Sequence, residues 1–249
     1  MKKVFSLMLL FATMLLLLTG CSKDEPDKSK LSQQLYSMYP EETQDIQGTN
    51  LSDVIWDSNN EFAATVQNNV ITGRYVGNAI VRSTTGNLVF SVNVSPKYHT
   101  YTEPSLEWGA SKSEIRKIYG APDSEKDNAL FYKTTNTDAP IMIFMFKNDG
   151  MYTCGVLCKY SIASQLGNFL AERYVPVDVD YSNYTATMLH CYGKISEPQV
   201  DYGVAMQVSS SVGGILVAYT RVNGTNSTRG VDIDYDGAIK SLENAMNQL

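Results

Sequence analysis

The sharpest chemical pattern in this chain is DIDYDGAIKSLE, Asp232 to Glu243. Carboxylates at its first, third and fifth positions, glycine at the sixth and glutamate at the twelfth satisfy the calcium-loop pattern at every specified place. Asp232, Asp234 and Asp236 would offer oxygens, Gly237 the sharp turn, Ala238 a backbone carbonyl and Glu243 a bidentate carboxylate. The preceding GTNSTRG forms a loop, however, where a calcium-binding helix–loop–helix needs an incoming helix. The same letters also fit a strand with Val231, Ile233 and Tyr235 inward, followed by a helix capped by Asp236 with Ile239, Leu242 and Met246 on its apolar side. The expectation is therefore no cofactor, with calcium as the alternative.

Other reactive residues do not assemble into a catalytic set. His190 and Cys191 are neighbours on a strand, so they point to opposite faces and cannot work as base and nucleophile. His99 has no partner visible in the sequence, and Asp178 and Asp180 share a face without a cleft to act in. The chain contains no G-x-S-x-G, Walker loop, H-E-x-x-H or paired C-x-x-C. Cys154 and Cys158 lie four apart on one strand, about 13 Å from each other, too far to bridge. Cys191 could pair with either; buried free thiols are the favoured reading. No enzyme is expected.

A fourth cysteine has a different setting. Lys2 and Lys3 precede an apolar run from Val4 to Leu18, which ends in Thr19-Gly20-Cys21 and then SKDEPDKSK. The run is shorter than the roughly 20 residues of a permanent membrane helix, and it reads as a secretory leader over 1–20. Leu18-Thr19-Gly20-Cys21 resembles the bacterial lipobox, which implies cleavage before Cys21 and acylation of that residue. Two or more acyl chains anchor firmly where one is marginal. Ser22 resembles the outer-membrane sorting pattern, and the acid-containing segment after it resembles the tethers of surface lipoproteins. Residues 21–30 should be a disordered spacer holding the folded part roughly 15 to 20 Å from the lipid. The expected location is the outer membrane, lipid-anchored.

Loss of Lys2 and Lys3 with the leader leaves 18 basic against 26 acidic residues, a net charge of about −8. That sign argues against nucleic acid as a partner. From 31 to 96 short β segments alternate with polar punctuation: Leu35 to Met38, Val54 to Trp56, Ala63 to Gln67, and two alternating runs separated by Gly86-Asn87. VIWDSNNEFAATVQNNVITGRYVGNAIVRSTTG resembles the group 2 bacterial immunoglobulin-like domain. Trp56, Ala64, Val66, Ile71, Thr72, Gly73, Gly77, Ala79 and Val81 carry the match, and Asn69 stands where glycine is usual. The resemblance implies a small all-β sandwich with a structural or adhesive task.

From 97 to 222 helix and strands recur. Ser111 and Glu114 form a capping box ahead of Ile115, Ile118 and Tyr119, and strands are predicted over Ala129 to Lys133, Ile141 to Lys147 and Met151 to Lys159. A second helix over Ser161 to Tyr174 has Ile162, Leu166, Phe169, Leu170 and Tyr174 on one stripe. It precedes strands over Tyr184 to Tyr192, Tyr202 to Ser209 and Ile215 to Val222. The expected fold class is thus mixed: the sandwich, plus an α+β domain of two α-β-β-β repeats forming one antiparallel sheet with helices on one face. Residues 223–249 add a loop and a last helix. WGASKSEIRKIYGAP resembles a segment shared by β-lactamase-inhibitor-protein-like domains and the small lipoprotein of the outer-membrane barrel-assembly machinery, through Gly109, Glu114, Ile115, Gly120 and Pro122. The chain has 16 tyrosines against 8 phenylalanines. Tyrosine suits either a binding face or any strand with one wet side. The resulting expectation is a non-catalytic envelope lipoprotein with a protein partner or a structural role. An inhibitor of a secreted or host hydrolase is the alternative.

Overall fold

The computed structural model describes residues 28–85, 87–222 and 232–249, so Cys21, Gly86 and Val231 lie outside the described residues. Among the described residues the fold is predominantly β, with several sheets and three α-helices.

The N-terminal part holds β1 (Lys30–Leu31), β2 (Leu35–Met38), β3 (Thr43–Asp45), β4 (Gly48–Thr49), β5 (Trp56–Ser58), β6 (Ala64–Gln67), β7 (Val70–Gly73), β8 (Gly77–Ser83) and β9 (Val89–Val94). A four-stranded sheet in the order β2-β9-β8-β5 and a three-stranded sheet β3-β7-β6 share one core, while β1 and β4 form a separate pair. Alternation decides which side chains enter it: Ala79, Val81 and Ser83 from β8, and Phe90, Val92 and Val94 from β9, are buried while their neighbours are not. The β6–β7 turn explains the asparagine at 69. Asn68 and Asn69 both have positive φ, 51° and 62°. Asparagine tolerates that region, and the Asn69 amide also accepts from Trp56 Nε1 at 2.7 Å and donates to the Leu51 carbonyl at 3.0 Å. Glycine would supply the turn but neither bond.

The C-terminal part runs α1 (Lys112–Tyr119), β10 (Ser124–Lys126), β11 (Ala129–Lys133), β12 (Ile141–Lys147), β13 (Gly150–Cys158), α2 (Ala163–Ala171), β14 (Val175–Asp180), β15 (Thr185–Lys194), β16 (Glu197–Ser209), β17 (Gly214–Arg221) and α3 (Tyr235–Met246). Its strands make one antiparallel sheet in the order β10-β11-β12-β13-β17-β16-β15-β14. The last strand of each half meets the other at the centre. Each half carries one outer strand more than the hydrophobic pattern announces. β10 is Ser-Glu-Lys with no apolar period, and β14 contains Pro176 and a register shift before Asp178. Both suit an edge, where a missing N–H and a bulge are tolerated.

The Ser111 capping box is present, with Glu114 N donating to Ser111 Oγ at 3.3 Å and Ser111 N to the Glu114 carboxylate at 2.8 Å. Helices α1 and α2 cover one face of the sheet through Ile115, Leu166, Phe169 and Leu170, over Phe144, Val156, Val217 and Tyr219. Helix α3 covers the opposite face through Ala238, Ile239, Leu242 and Ala245, over Phe131, Ile143, Leu216 and Ala218. The expectation of helices on one face is thus corrected: α1 and α2 lie on one face and α3 on the other, so the sheet is covered on both. Two glycines make room for α3. A β-carbon on Gly155 would collide with Leu242 and lie 2.6 Å from the Val217 carbonyl oxygen; one on Gly203 would lie 2.6 Å from the Tyr235 ring. Gly155→Ala is expected to lower unfolding free energy by about 1–3 kcal/mol through overpacking, measured by urea denaturation; an unchanged midpoint would show that α3 is not held this closely.

Candidate functional site at the junction of the two sheet systems

The residues with most chemical capacity gather where the N-terminal sheets meet the C-terminal one. Helix α2 ends at Glu172, whose side chain is only 5% exposed. Its carboxylate accepts from Lys97 N at 2.9 Å, from Tyr98 N at 3.0 Å and from Arg173 Nη1 at 2.5 Å. Its backbone carbonyl accepts from Val76 N at 2.8 Å. One residue thus ties the end of α2 to the β7–β8 loop and to the connector after β9. Arg173 is packed as tightly: its guanidinium sits 3.7 Å above the Phe169 ring, donates to the Tyr98 carbonyl at 3.1 Å, and stands 3.7 Å from the Glu103 carboxylate.

A second clasp lies at the far end of the β15–β16 hairpin. Lys194 Nζ reaches Asp57, lies 3.4 Å from Glu61 and donates to the Ser58 carbonyl at 2.6 Å. Ile195 N donates to Glu61 Oε2 at 2.9 Å, and Glu61 N to the Gly193 carbonyl at 2.8 Å. Gly193 takes φ +83°, the left-handed conformation at the tip of the hairpin that meets the N-terminal sheets.

Beneath Arg173 lies a cluster of tyrosines on one carboxylate. Glu103 accepts from the Tyr174 hydroxyl and from the Tyr219 hydroxyl at 3.2 Å. Tyr219 shares a 2.5 Å bond with Tyr101, and Tyr174 lies 3.5 Å from the Tyr202 hydroxyl. His190 stacks on Tyr202 at 4.7 Å with the rings 6° from parallel. Its Nδ1 is 3.3 Å from Asp201 Oδ2, near enough for charge but without a hydrogen bond's alignment. Burial pushes the hydroxyls of Tyr101, Tyr174 and Tyr219 well above the usual phenol range, and raises Tyr202 as well. Burial also holds His190 below the ordinary imidazole value, with Asp201 opposing it. Near neutral pH the phenols keep their protons and the imidazole stays neutral. The cluster can hold backbone and side chains in register.

Beside the Glu172 clasp opens a cleft of about 610 Å³, lined among others by Glu41, Arg74, Tyr75, Lys97, Tyr98 and Glu172. Glu41 holds φ +70° there, fixed by its N–H on the Gly73 carbonyl at 2.9 Å.

The carboxylates of the calcium-loop pattern are not gathered. Residues from Tyr235 onward are helical; Asp234 is the N-cap, accepting from Gly237 N at 2.8 Å, two positions before the cap expected at Asp236. Asp236 lies in the first turn, Asp232 precedes the cap, and Glu243 turns to Ser209 and to Ser211 Oγ at 2.6 Å. Among the described residues no group of three His, Cys, Asp or Glu side chains could hold a metal ion. Cys154, Cys158 and Cys191 are free thiols. Cys191 is on β15, three strand spacings or about 14 Å from β13, which rules out a bridge to Cys154 or Cys158. Burial raises Cys158 to about 12 and Cys191 to about 11, leaving little thiolate for reaction. His190 faces Tyr202 while Cys191 lies near Tyr235 on the α3 side, as strand alternation requires.

Glu103, Glu172 and Arg173 escaped the sequence reading. Glu172-Arg173 looks like a charged helix end, and only the long-range bonds to 97 and 98 reveal its use. No family model matches the chain, and no curated protein matches it. No helix among the described residues is long and apolar enough to cross a membrane.

Glu172→Ala strands two buried amides and the Arg173 charge. It should cost about 3–5 kcal/mol in urea denaturation and make the connector near Lys97 sensitive to brief proteolysis; a loss below about 1 kcal/mol would refute the clasp. Stability against pH follows from the buried groups. Below the unfolded histidine value of 6.5 the unfolded chain gains a proton that folded His190 refuses, so stability falls as pH drops through that value. Above the unfolded cysteine value of 9.0 the unfolded chain releases protons that Cys158 keeps, so stability falls again. Urea midpoints should be flat between these limits, and His190→Gln should shrink the first part of the acid limb; an unaltered limb would mean that His190 is not its source.

Proposed function

We propose that this chain is a lipid-anchored envelope protein of the outer membrane, held through acyl chains on Cys21, that binds a protein partner or lends structural support without catalysis. The observation that carries the reading is the border at Cys21, where an apolar run ends in Leu-Thr-Gly-Cys and a polar segment follows. The net negative charge agrees with a partner other than nucleic acid. The non-catalytic part is supported by how the ionisable groups are spent. Glu172, Arg173 and Lys194 are committed to bonds that tie the C-terminal part to the N-terminal sheets and the connector after them, and Glu103 to the tyrosine hydroxyls of the C-terminal part.

In this reading the N-terminal sheets are an immunoglobulin-like stalk, and the C-terminal sheet is a duplicated unit carried on it. Two halves of α-helix plus antiparallel strands, arranged so that β13 meets β17, agree with duplication. An inhibitor gripping its enzyme with a tyrosine-lined sheet face draws no support from Tyr132, Tyr174 and Tyr219, which are buried under α1, α2 and the connector.

Replacing Cys21 by alanine and fractionating cells tests the anchor. The variant should leave the membrane fraction, and the wild-type N-terminal peptide should carry acyl mass that the variant lacks. An unchanged membrane location without acyl mass would end the proposal.

A further inference from the structure

The outer strand β14 and the hairpin tip that follows it are unlike the rest of the surface. Within eight residues Val177, Val179, Tyr181 and Tyr184 are 58%, 44%, 84% and 66% exposed. Among the described residues no strand pairs with the outer side of β14, so its backbone groups there are open to another chain. The tip is set in advance. The Asp180 carboxylate accepts from Ser182 N at 2.8 Å, Ser182 Oγ at 2.5 Å, Asn183 N at 3.2 Å and Asn183 Nδ2 at 2.6 Å. Tyr184 takes φ +52°, an uncommon conformation for an aromatic residue, and its carbonyl accepts from Val208 N at 3.1 Å. Two exposed tyrosines are thus presented on a turn that needs no ordering to bind.

Charge decides what fits. Asp178 and Asp180 stand on one face of β14, opposite Thr187 and Thr185, with Val179 between them on the other. Among the described residues no ion pair reaches either aspartate. A second copy laid along this edge would set acid against acid, which is unfavourable across paired strands. Pro176 and the bulge after it stop pairing at the strand's start, so the open edge is short and selective. Lysine or arginine opposite the aspartates would find complementary charge, and Tyr181 and Tyr184 offer ring faces to the same cations.

We propose that β14 and its hairpin tip dock an extended segment of a partner protein in which lysine or arginine alternates with apolar side chains. This rests on the reading of the chain as a protein-binding envelope protein and names the chemistry of the partner. The test uses the full chain in mild detergent and a fluorescent peptide of about ten residues alternating lysine with valine or threonine. A second peptide carries glutamate for lysine. Anisotropy should show binding of the lysine peptide at least about tenfold tighter than of the glutamate peptide. Asp178→Lys should weaken the first and strengthen the second, each by about tenfold, with an unchanged circular dichroism spectrum. Hydrogen exchange should slow at residues 178–184 and not at β10. Equal binding of both peptides, binding of neither, protection elsewhere, or self-association through β14 in sedimentation would overturn the proposal. Because the measurement is made in solution, its failure leaves the Cys21 result standing, and loss of the anchor leaves this one standing.

Discussion

A buried carboxylate at the end of one helix holds this molecule in its shape. Glu172 replaces water with two backbone amides, a guanidinium and, through its own carbonyl, a third amide from the N-terminal sheets' β7–β8 loop. A charge so enclosed is tolerable only when fully bonded. Geometry that leaves any of these donors out of place is therefore penalised steeply, and the connector after β9 has one way to lie. The Lys194 clasp fixes the second point, at the tip of the β15–β16 hairpin. Two separated attachments resist rotation in a way that one cannot.

The sheet gains its order by a different route. Its central strands β13 and β17 are apolar on both faces, and helices cover both. On the α1–α2 side the filling is aromatic and partly polar, so every tyrosine hydroxyl there needs a partner, and Glu103 supplies the shared acceptor. On the α3 side the filling is mostly aliphatic around Phe131, and glycines at 155 and 203 set how closely the helix and the Tyr235 ring approach.

Much of the element order was legible because local rules sufficed. Ser111 and Glu114 cap α1 as their spacing says, the stripe from Ile162 to Tyr174 is buried, and Asn148 and Asp149 take the positive φ that a tight hairpin demands. The continuous apolar runs 129–133 and 141–147 were readable to the residue. The edges β10 and β14 were not, since three polar residues and a proline-bearing run carry no buried period. The junction was the least legible part. Its bonds span 74 and 75 positions, from Tyr98 and Lys97 to Glu172, and no local pattern distinguishes a carboxylate that will be buried from one left in water. The terminal aspartates were legible only in part: the sequence announces a capped helix at DIDYDG, and the cap falls on Asp234, two residues before the Asp236 that the pattern suggests.

The meeting of β13 with β17 has a consequence for how the polypeptide is made. Thr153 pairs with Thr220, so the long apolar flank of β13 has no neighbour until some 60 later residues have emerged. A chain emerging from its N-terminal end exposes that flank for the whole interval, a span in which sticking to other nascent chains competes with closure. The flank is covered only when β17 arrives.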